Sequence, residues 1–325
     1  GGWIDRVDQF TGAVANKNSN SQNSVVARAA LTLAPSENFK ITPSVVFQDT
    51  RLRDVYTFWD ALSDPGKNEY LNGQRLRQPD NDRYVLPALK LEYNGEGFDI
   101  ISNTSYFKRT HTATDDYTNL MVGLYANANT LPDFRNYESW AHMQNYYKSF
   151  TQEVRIQSND PTSRLTWVLG GFYNKLTQKA DEQIVDPDMG KMLQYAYEDP
   201  TMTVFKETGM DLIDGRYSLI ANFKTVDKQL AVFGEVSYEL LDGFKAIAGM
   251  RYSRSRYSST NFVTGPFNYA TVADSGKGGE NPLTPKFGLS WQIDPGNMVY
   301  ATVAKGFRVG GVNPAIPIAP CSTDL

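Results

Sequence analysis

The chain is 325 residues long, with 32 Lys and Arg against 36 Asp and Glu and a formal net charge of −4. That mixed balance leaves no basic footprint for nucleic acid, and one cysteine (Cys321) with two histidines (His111, His142) excludes an internal disulfide framework, a cysteine-based zinc cluster and histidine-rich metal chemistry. No run of about 18 apolar residues offers a transmembrane helix, but a negative mean hydropathy also suits a β-barrel membrane wall, whose strands alternate lipid-facing and lumen-facing residues.

One unit recurs along the chain: strand, tight turn, strand, long polar loop. The alternation predicts strands over Asn23–Ala34 and Phe39–Gln48 around the turn Pro35-Ser36-Glu37-Asn38, after a stub near Gly2-Trp3-Ile4. Tyr84–Tyr93 and Phe98–Lys108 flank Asn94-Gly95-Glu96-Gly97, and Phe150–Ser158 and Leu165–Lys175 flank an Asn-Asp-Pro-Thr-Ser turn. Gln229–Leu240 and Phe244–Arg254 flank Leu241-Asp242-Gly243; Thr284–Gln292 and Met298–Phe307 flank Ile293-Asp294-Pro295-Gly296. Asn, Asp, Gly and Pro supply the special backbone angles of each turn. Pro43 and Pro87 sit inside strand patterns, where each removes a ladder donor.

One face collects Ile41, Val45, Phe47, Leu89, Leu91, Leu165, Trp167, Leu169, Val232, Val236 and Tyr238. The other collects Arg28, Lys40, Lys90, Glu92, Glu153, Arg155, Arg164, Glu235, Lys245, Arg251 and Lys286. Met298–Phe307 is ambiguous, being small or apolar on both faces. The connections are asymmetric: short turns at one rim, and at the other the linkers Asp49–Arg83, Arg109–Ser149, Leu176–Lys228 and Tyr257–Leu283. Loops that long are uncommon inside a compact domain, and their placement at alternate connections is the habit of outer-membrane barrels. The loops are polar with scattered aromatics and leave room for short helices whose ends the sequence does not place.

Catalytic patterns are missing. There is no Walker loop and no G-x-S-x-G elbow; the glycine-rich stretches Gly276–Gly279 and Gly306–Gly311 lack a strand-to-helix context. The pair Asp115-Asp116 reads as solvated loop charge. No enzyme activity and no cofactor are expected.

Three stretches resemble TonB-dependent outer-membrane receptors, in the right order. VYATVAKGFRVGGVNP (Val299–Pro314) resembles their strand-to-loop signature. AVFGEVSYELLDGFKAIAGMRYSRSR (Ala231–Arg256) resembles a family hairpin, and FTQEVRIQSND with LTWVLGGFYNK (Phe150–Lys175) another. The resemblance runs from about Trp3 to Pro314. It implies an all-β fold: a transmembrane antiparallel up-and-down β-barrel, with residues 1–325 forming about half of a roughly 22-stranded wall, its short turns periplasmic and its long loops extracellular. The plug domain and the last strands are expected to lie outside this chain.

By the same resemblance the protein is expected in the bacterial outer membrane, as a monomer in the lipid bilayer. It would take up a ferric siderophore or other iron chelate, energised through the missing plug segment by TonB–ExbB–ExbD. Arg254, Arg256 and Arg308, at strand ends beside long loops, are the ligand-binding candidates; Glu153, Arg155, Glu235, Lys245, Arg251 and Lys286 are expected to form a polar lattice in the lumen. Two other classes remain open: a passive porin-like channel, and a soluble β-rich binding protein whose apolar face is covered by a second sheet. Cys321 either pairs beyond the chain or is a free thiol.

Overall fold

The computed structural model describes residues 1–125 and 135–311. Two short strands, β1 (Asp5–Val7) and β2 (Val14–Asn16), come first. Then follow β3 (Gln22–Ala30), β4 (Leu33–Ser36), β5 (Phe39–Leu52), β6 (Leu71–Asn72), β7 (Asp80–Asn94), β8 (Phe98–Asp116), β9 (Trp140–Ser158), β10 (Leu165–Val185), β11 (Tyr217–Leu241), β12 (Phe244–Thr264), β13 (Val272–Glu280), β14 (Leu283–Asp294) and β15 (Asn297–Ala304). Helices α1 (Thr118–Tyr125), α2 (Met189–Ala196) and α3 (Val204–Thr208) lie in the long connections.

The wall is a 12-stranded sheet in the order β15-β14-β12-β11-β10-β9-β8-β7-β5-β3, with β13 added beside β12 and β4 beside β5. Every wall pairing is antiparallel, as expected of an up-and-down meander. Short turns all close one rim. At Leu241-Asp242-Gly243, Gly243 has φ +75°, and a Cβ there would lie 2.6 Å from the Gln292 carbonyl oxygen, so both the turn and its neighbour demand glycine.

The cross-strand partners carry one parity around the arc: Val45↔Pro87, Leu89↔Thr104, Tyr106↔Phe150, Leu169↔Ile156, Trp167↔Val236, Val236↔Ala248, Ala248↔Phe287 and Phe287↔Val303. These side chains form the outward face, and its large apolar groups are exposed: Leu169 58%, Phe287 61%, Val303 76%. β15 is thereby settled, with Val299, Ala301 and Val303 outward. The other parity is inward: Ile101, Ala141, Ala231, Ser253 and Ser255 are buried on it. From Leu230 to Leu240, about ten residues at ~3.4 Å each and a ~40° tilt span roughly 26 Å, the height of a barrel's apolar band. The sheet is a transmembrane β-barrel wall, open among the described residues between edge strands β3 and β15.

Three expectations are corrected. First, the stub near Trp3 is no wall strand: β1 pairs antiparallel with β2 and parallel with β6, in a separate small sheet. There the Asn20 side chain accepts from the Trp3 and Ile4 amides at 2.7 and 2.9 Å, and Trp3 and Phe58 both meet Tyr70 edge-on. Second, the strands run far into what the alternation assigned to loops. Thr110-His111-Thr112-Ala113-Thr114 continues β8, paired against β9 as far as Asp116↔Trp140; with both faces polar there, no hydrophobic alternation marks it. The linker after β12 likewise contains β13, folded back on β12. Third, Asp116 is not solvated loop charge. It is 7% exposed, and its carboxylate accepts from the Arg75, Leu76 and Thr118 amides at 2.7, 3.0 and 2.9 Å.

Both strand prolines are present, and the ladder breaks where each withdraws a donor. Leu31 donates to the Pro43 carbonyl at 3.1 Å but receives nothing back; the interruption between β3 and β4 falls there, beside a Thr32–Thr42 hydroxyl contact at 3.1 Å. The β7–β8 ladder skips Leu86 and Pro87 and resumes in unchanged register.

The parity predicts a sharp asymmetry between neighbours. Val236→Arg, outward and mid-band, should cost about 2–4 kcal/mol of folding into phospholipid vesicles, while Ser237→Arg, inward, should cost under about 1 kcal/mol. Equal losses in a denaturant titration would sink the assignment of faces.

Candidate functional site

The inward face of the apolar-band segments carries the motif residues, and their spacing follows from the ladder. Glu235 stands opposite Gly249, and Gly249 opposite Lys286. With no side chain between them, Lys286 Nζ reaches Glu235 Oε2 at 2.8 Å across the intervening strand. A Cβ on Gly249 would sit 3.3 Å from that carboxylate. Both partners are more than a third exposed, so the pair contributes at most about 1 kcal/mol; its effect is to fix the lattice. One layer further, Gly170 makes room for the Phe233 ring, which a Cβ would strike at 2.4 Å. Arg251 lies over Phe172 and Phe233, 5.1 and 5.7 Å from their centroids, a cation–π stack.

The six lattice candidates all fall on the inward parity. Glu153 and Arg155 approach to 3.9 Å. Arg251 is held by aromatic rings and Ser253 Oγ, at 3.1 Å, and not by a carboxylate. Lys245 stands opposite Glu239 in the ladder, whose carboxylate accepts from the Gly243 amide at 2.8 Å.

Above the band, the inward side chains form a second and denser network that the alternation did not reveal. Arg109 binds Asp82 through two parallel bonds of 2.7 and 2.8 Å and lies 5.4 Å from the Tyr147 ring centroid. His111 Nε2 meets Asp80 Oδ1 at 2.9 Å, and Gln178 donates to the Tyr147 hydroxyl at 3.0 Å. Burial, then nearby Asp80, raises the Asp115 pKa; burial also raises that of Glu182, which accepts from Tyr117. Burial beside Glu182 pushes the Tyr117 phenol up to about 12. Among the described residues, no group of three or more His, Cys, Asp or Glu could hold a metal ion.

The long connections close over this network by packing on one another. Met121 and Val122 of α1, Met189, Met192 and Leu193 of α2, Val204 of α3 and Tyr137 form one buried cluster, flanked by Phe267 from the β12–β13 connection. A second cluster, Ala141, Ile184, Leu219 and Ala221, ties Tyr117 and Phe267 to the inward face of the upper wall. Tyr137 donates to Asp186 at 2.7 Å, Arg75 donates to the Tyr137 carbonyl at 2.6 Å, and Arg6 reaches Asp54 at 3.5 Å. The result is a vestibule with a polar wall and a folded, apolar-cored rim.

The rim arginines separate. Arg254 and Arg256 are not at a strand end as expected but inside β12, opposite Leu230 and Lys228 and on the outward parity. Arg308 is exposed in the segment after β15, where the Gly310 amide donates to Glu280 Oε1 at 3.2 Å, on the inward side of β13. Asn313, Pro314 and Cys321 lie outside the described residues.

A family model described as TonB dependent receptor-like, beta-barrel, matches residues 35–320. The chain belongs to this TonB-dependent receptor β-barrel family. In fold it is similar to the ferric yersiniabactin uptake receptor FyuA from Yersinia pestis, at 14% identity and TM-score 0.66, covering 92% of this chain and 39% of that one. It is also similar to the siderophore receptor PiuA from Acinetobacter baumannii (12% identity, TM-score 0.59, 89% and 42% coverage). The ferric-catecholate import receptor Fiu from E. coli K12 matches at 12% identity and TM-score 0.56, with 87% and 46% coverage. This stretch of receptor wall therefore spans less than half the length of each.

Within the rim, burial pushes the Asp186 carboxyl from 3.8 up to about 7 against the opposing Tyr137 hydrogen bond. The folded rim holds a proton that the unfolded chain gives up near pH 4, so this contribution is full below that pH and is lost as pH rises to about 7. Hydrogen exchange of α1 and α2, corrected for intrinsic rates, should quicken between about pH 4 and 7. Asp186→Asn should flatten that dependence; an unchanged slope would refute the assignment.

Proposed function

We propose that this chain forms wall and extracellular rim of an outer-membrane receptor that takes up a ferric siderophore or similar iron chelate by TonB-coupled transport. The observation that carries the proposal is the vestibule: a continuous inward polar network, roofed by loops with their own core, on a wall of this family. The named functions of the similar solved structures, ferric yersiniabactin uptake, siderophore reception and ferric-catecholate import, support the ligand class. The wall itself makes and breaks no bonds. It anchors loops that enclose the ligand and presents hydrogen-bonding groups to a plug, whose coupling segment engages TonB and, through it, ExbB–ExbD. The receptor works as a monomer.

Of the three rim arginines, Arg308 is the one whose segment docks on the inward side, so it is the proposed contact for an anionic chelate through charge-assisted hydrogen bonds. Tyr147 and Gln178 supply neutral partners deeper in the vestibule.

A host carrying the complete receptor gene should depend on it for growth under iron limitation with at least one ferric chelate, and collapse of the proton-motive force should abolish that uptake. Arg308→Ala should weaken binding of that chelate by about tenfold, near 1.4 kcal/mol. Uptake indifferent to the proton-motive force would favour a passive channel. Independence of every iron source would redirect the search to vitamin B12 or a glycan.

A further inference from the structure

Through the apolar band, inward charges meet their opposites: Glu235 with Lys286, and Glu153 with Arg155. Just above it, Asp82 takes Arg109 and Asp80 meets His111. From β10 to β13 that balance ends. The inward parity there carries Glu182, Asp227, Asp274 and Glu280, fixed by the pairs Glu182↔Ala221, Asp227↔Tyr257, Asn261↔Asp274 and Ser255↔Glu280. Above Arg251 no lysine or arginine of these strands shares that parity; Lys179, Lys224, Lys228 and Arg256 all stand on the other. Neither these carboxylates nor Arg308 form a salt bridge among the described residues. Glu182 accepts from the Tyr117 hydroxyl and Asp274 from the Ser275 amide, at 3.3 and 2.7 Å. Asp227 has no hydrogen-bond partner among the described residues.

Two rows of the ladder bring the chemistry together. Gln229, Ser255 and Glu280 cross β11, β12 and β13 in one row, and Asp227, Tyr257 and Gly278 cross them in the next. Gly278 leaves the room that the Tyr257 ring occupies. A Cβ on Gly310 would lie 3.0 Å from the Tyr257 hydroxyl and 2.9 Å from Glu280 Oε1, so phenol and carboxylate converge on one point. Glu280 uses Oε1 for the Gly310 amide, at 3.2 Å, and keeps its second oxygen for another donor. Ser255, on the same inward parity, is 2% exposed, and its Oγ has no partner. Native structures rarely leave a buried hydroxyl unpaired.

We propose that this patch receives a protonated amine of the ligand, seated between Asp227 and Glu280 beside the Tyr257 ring. The inference deepens the uptake reading and rests on it: the chelate carries both signs of charge, an anionic part for Arg308 and an amine for the wall. The Gly310–Glu280 contact brings the segment of Arg308 to this patch, so the two subsites are neighbours. By backbone spacing, the Cα atoms of Asp227 and Glu280 stand roughly 12 Å apart, two strand spacings across and two residues along. Side chains reaching inward from both ends leave a gap the size of one small cation. An ammonium has three donors and no acceptor, which suits two carboxylates and the Ser255 hydroxyl, and the Tyr257 ring adds a cation–π contact. A cleft walled by one sign of charge also focuses its field on an entering ligand.

The test uses the full receptor containing this chain, purified in detergent, and measures Kd for ferric chelates of hydroxamate, catecholate and carboxylate type. Each chelate is supplied in two forms, with a free primary amine and with that amine acetylated. In whichever class binds, the amine form is expected to bind about tenfold more tightly at neutral pH. The double variant Asp227→Asn, Glu280→Gln should abolish that preference. The pair Asp227→Glu, Glu280→Asp should keep it, which separates charge from misfolding. Equal affinity of the two forms, the result if a side chain of the plug already fills the patch, would overturn the proposal. So would a preference that survives the Asn and Gln variant. Either result leaves the uptake reading standing, whereas binding of no chelate at all would sink that reading and this inference together.

Discussion

Everything in this wall depends on a backbone ladder of constant register that locks side-chain parity from β5 to β15. A strand alternates faces every residue, so a slip of one position anywhere would move a whole strand's Val and Leu into the lumen and its Glu and Arg into lipid. The register contains no such slip in the apolar-band stretches of the wall strands. Pro87 interrupts the ladder for two positions, and the pairing resumes unshifted. In a bilayer there is no water to rescue unpaired backbone groups, so the ladder and the parity are one constraint.

That constraint explains why the molecule keeps its buried core in an unusual place. The wall's apolar side chains face outward, and its inward side is polar, so neither face of the transmembrane segment encloses a conventional interior. Apolar side chains buried together occur instead where strands rise above the band and the loops can fold over them, in the Met- and Tyr-rich cluster of α1, α2 and α3. Flexible methionines fill irregular space between short helices, and Ile184, Leu219 and Ala221 anchor the assembly to the wall. The vestibule's shape is therefore set by rim packing, while its chemistry is set by the inward parity of strands that continue beyond the membrane.

Sequence pattern and structure agree best where lipid imposes the pattern. Val232, Val236 and Tyr238 against Glu235 and Glu239 state the faces of β11 without ambiguity, and all five tight turns follow from their Asn, Asp, Gly and Pro content. Above the band the pattern fails for a physical reason: outward residues there meet water or headgroups, so Thr110, Thr112 and Thr114 replace aliphatic side chains and only β-propensity marks the strand. Arg109, His111, Asp80 and Asp82 consequently looked like loop charge. The first twenty residues were illegible for another reason. Their partners, β6 and the Asp54–Arg75 region, lie in a distant connection, and a three-residue strand carries no periodicity.

The two faces also resolve why rim arginines cannot be ranked by position along a strand alone. The sequence places Arg254 and Arg256 beside a long loop, as it does Arg308, yet both lie inside β12, and the ladder turns them to the outward face with Lys175 and Lys228. Opposed charges on the inward face satisfy one another and leave a rigid polar surface of low net demand. Opposed like charges on the outward face, such as Lys175 against Lys228, cannot, and are left to solvent and headgroups. The side of a strand on which a cation stands, and not its nearness to the rim, decides whether it addresses the lumen or the lipid.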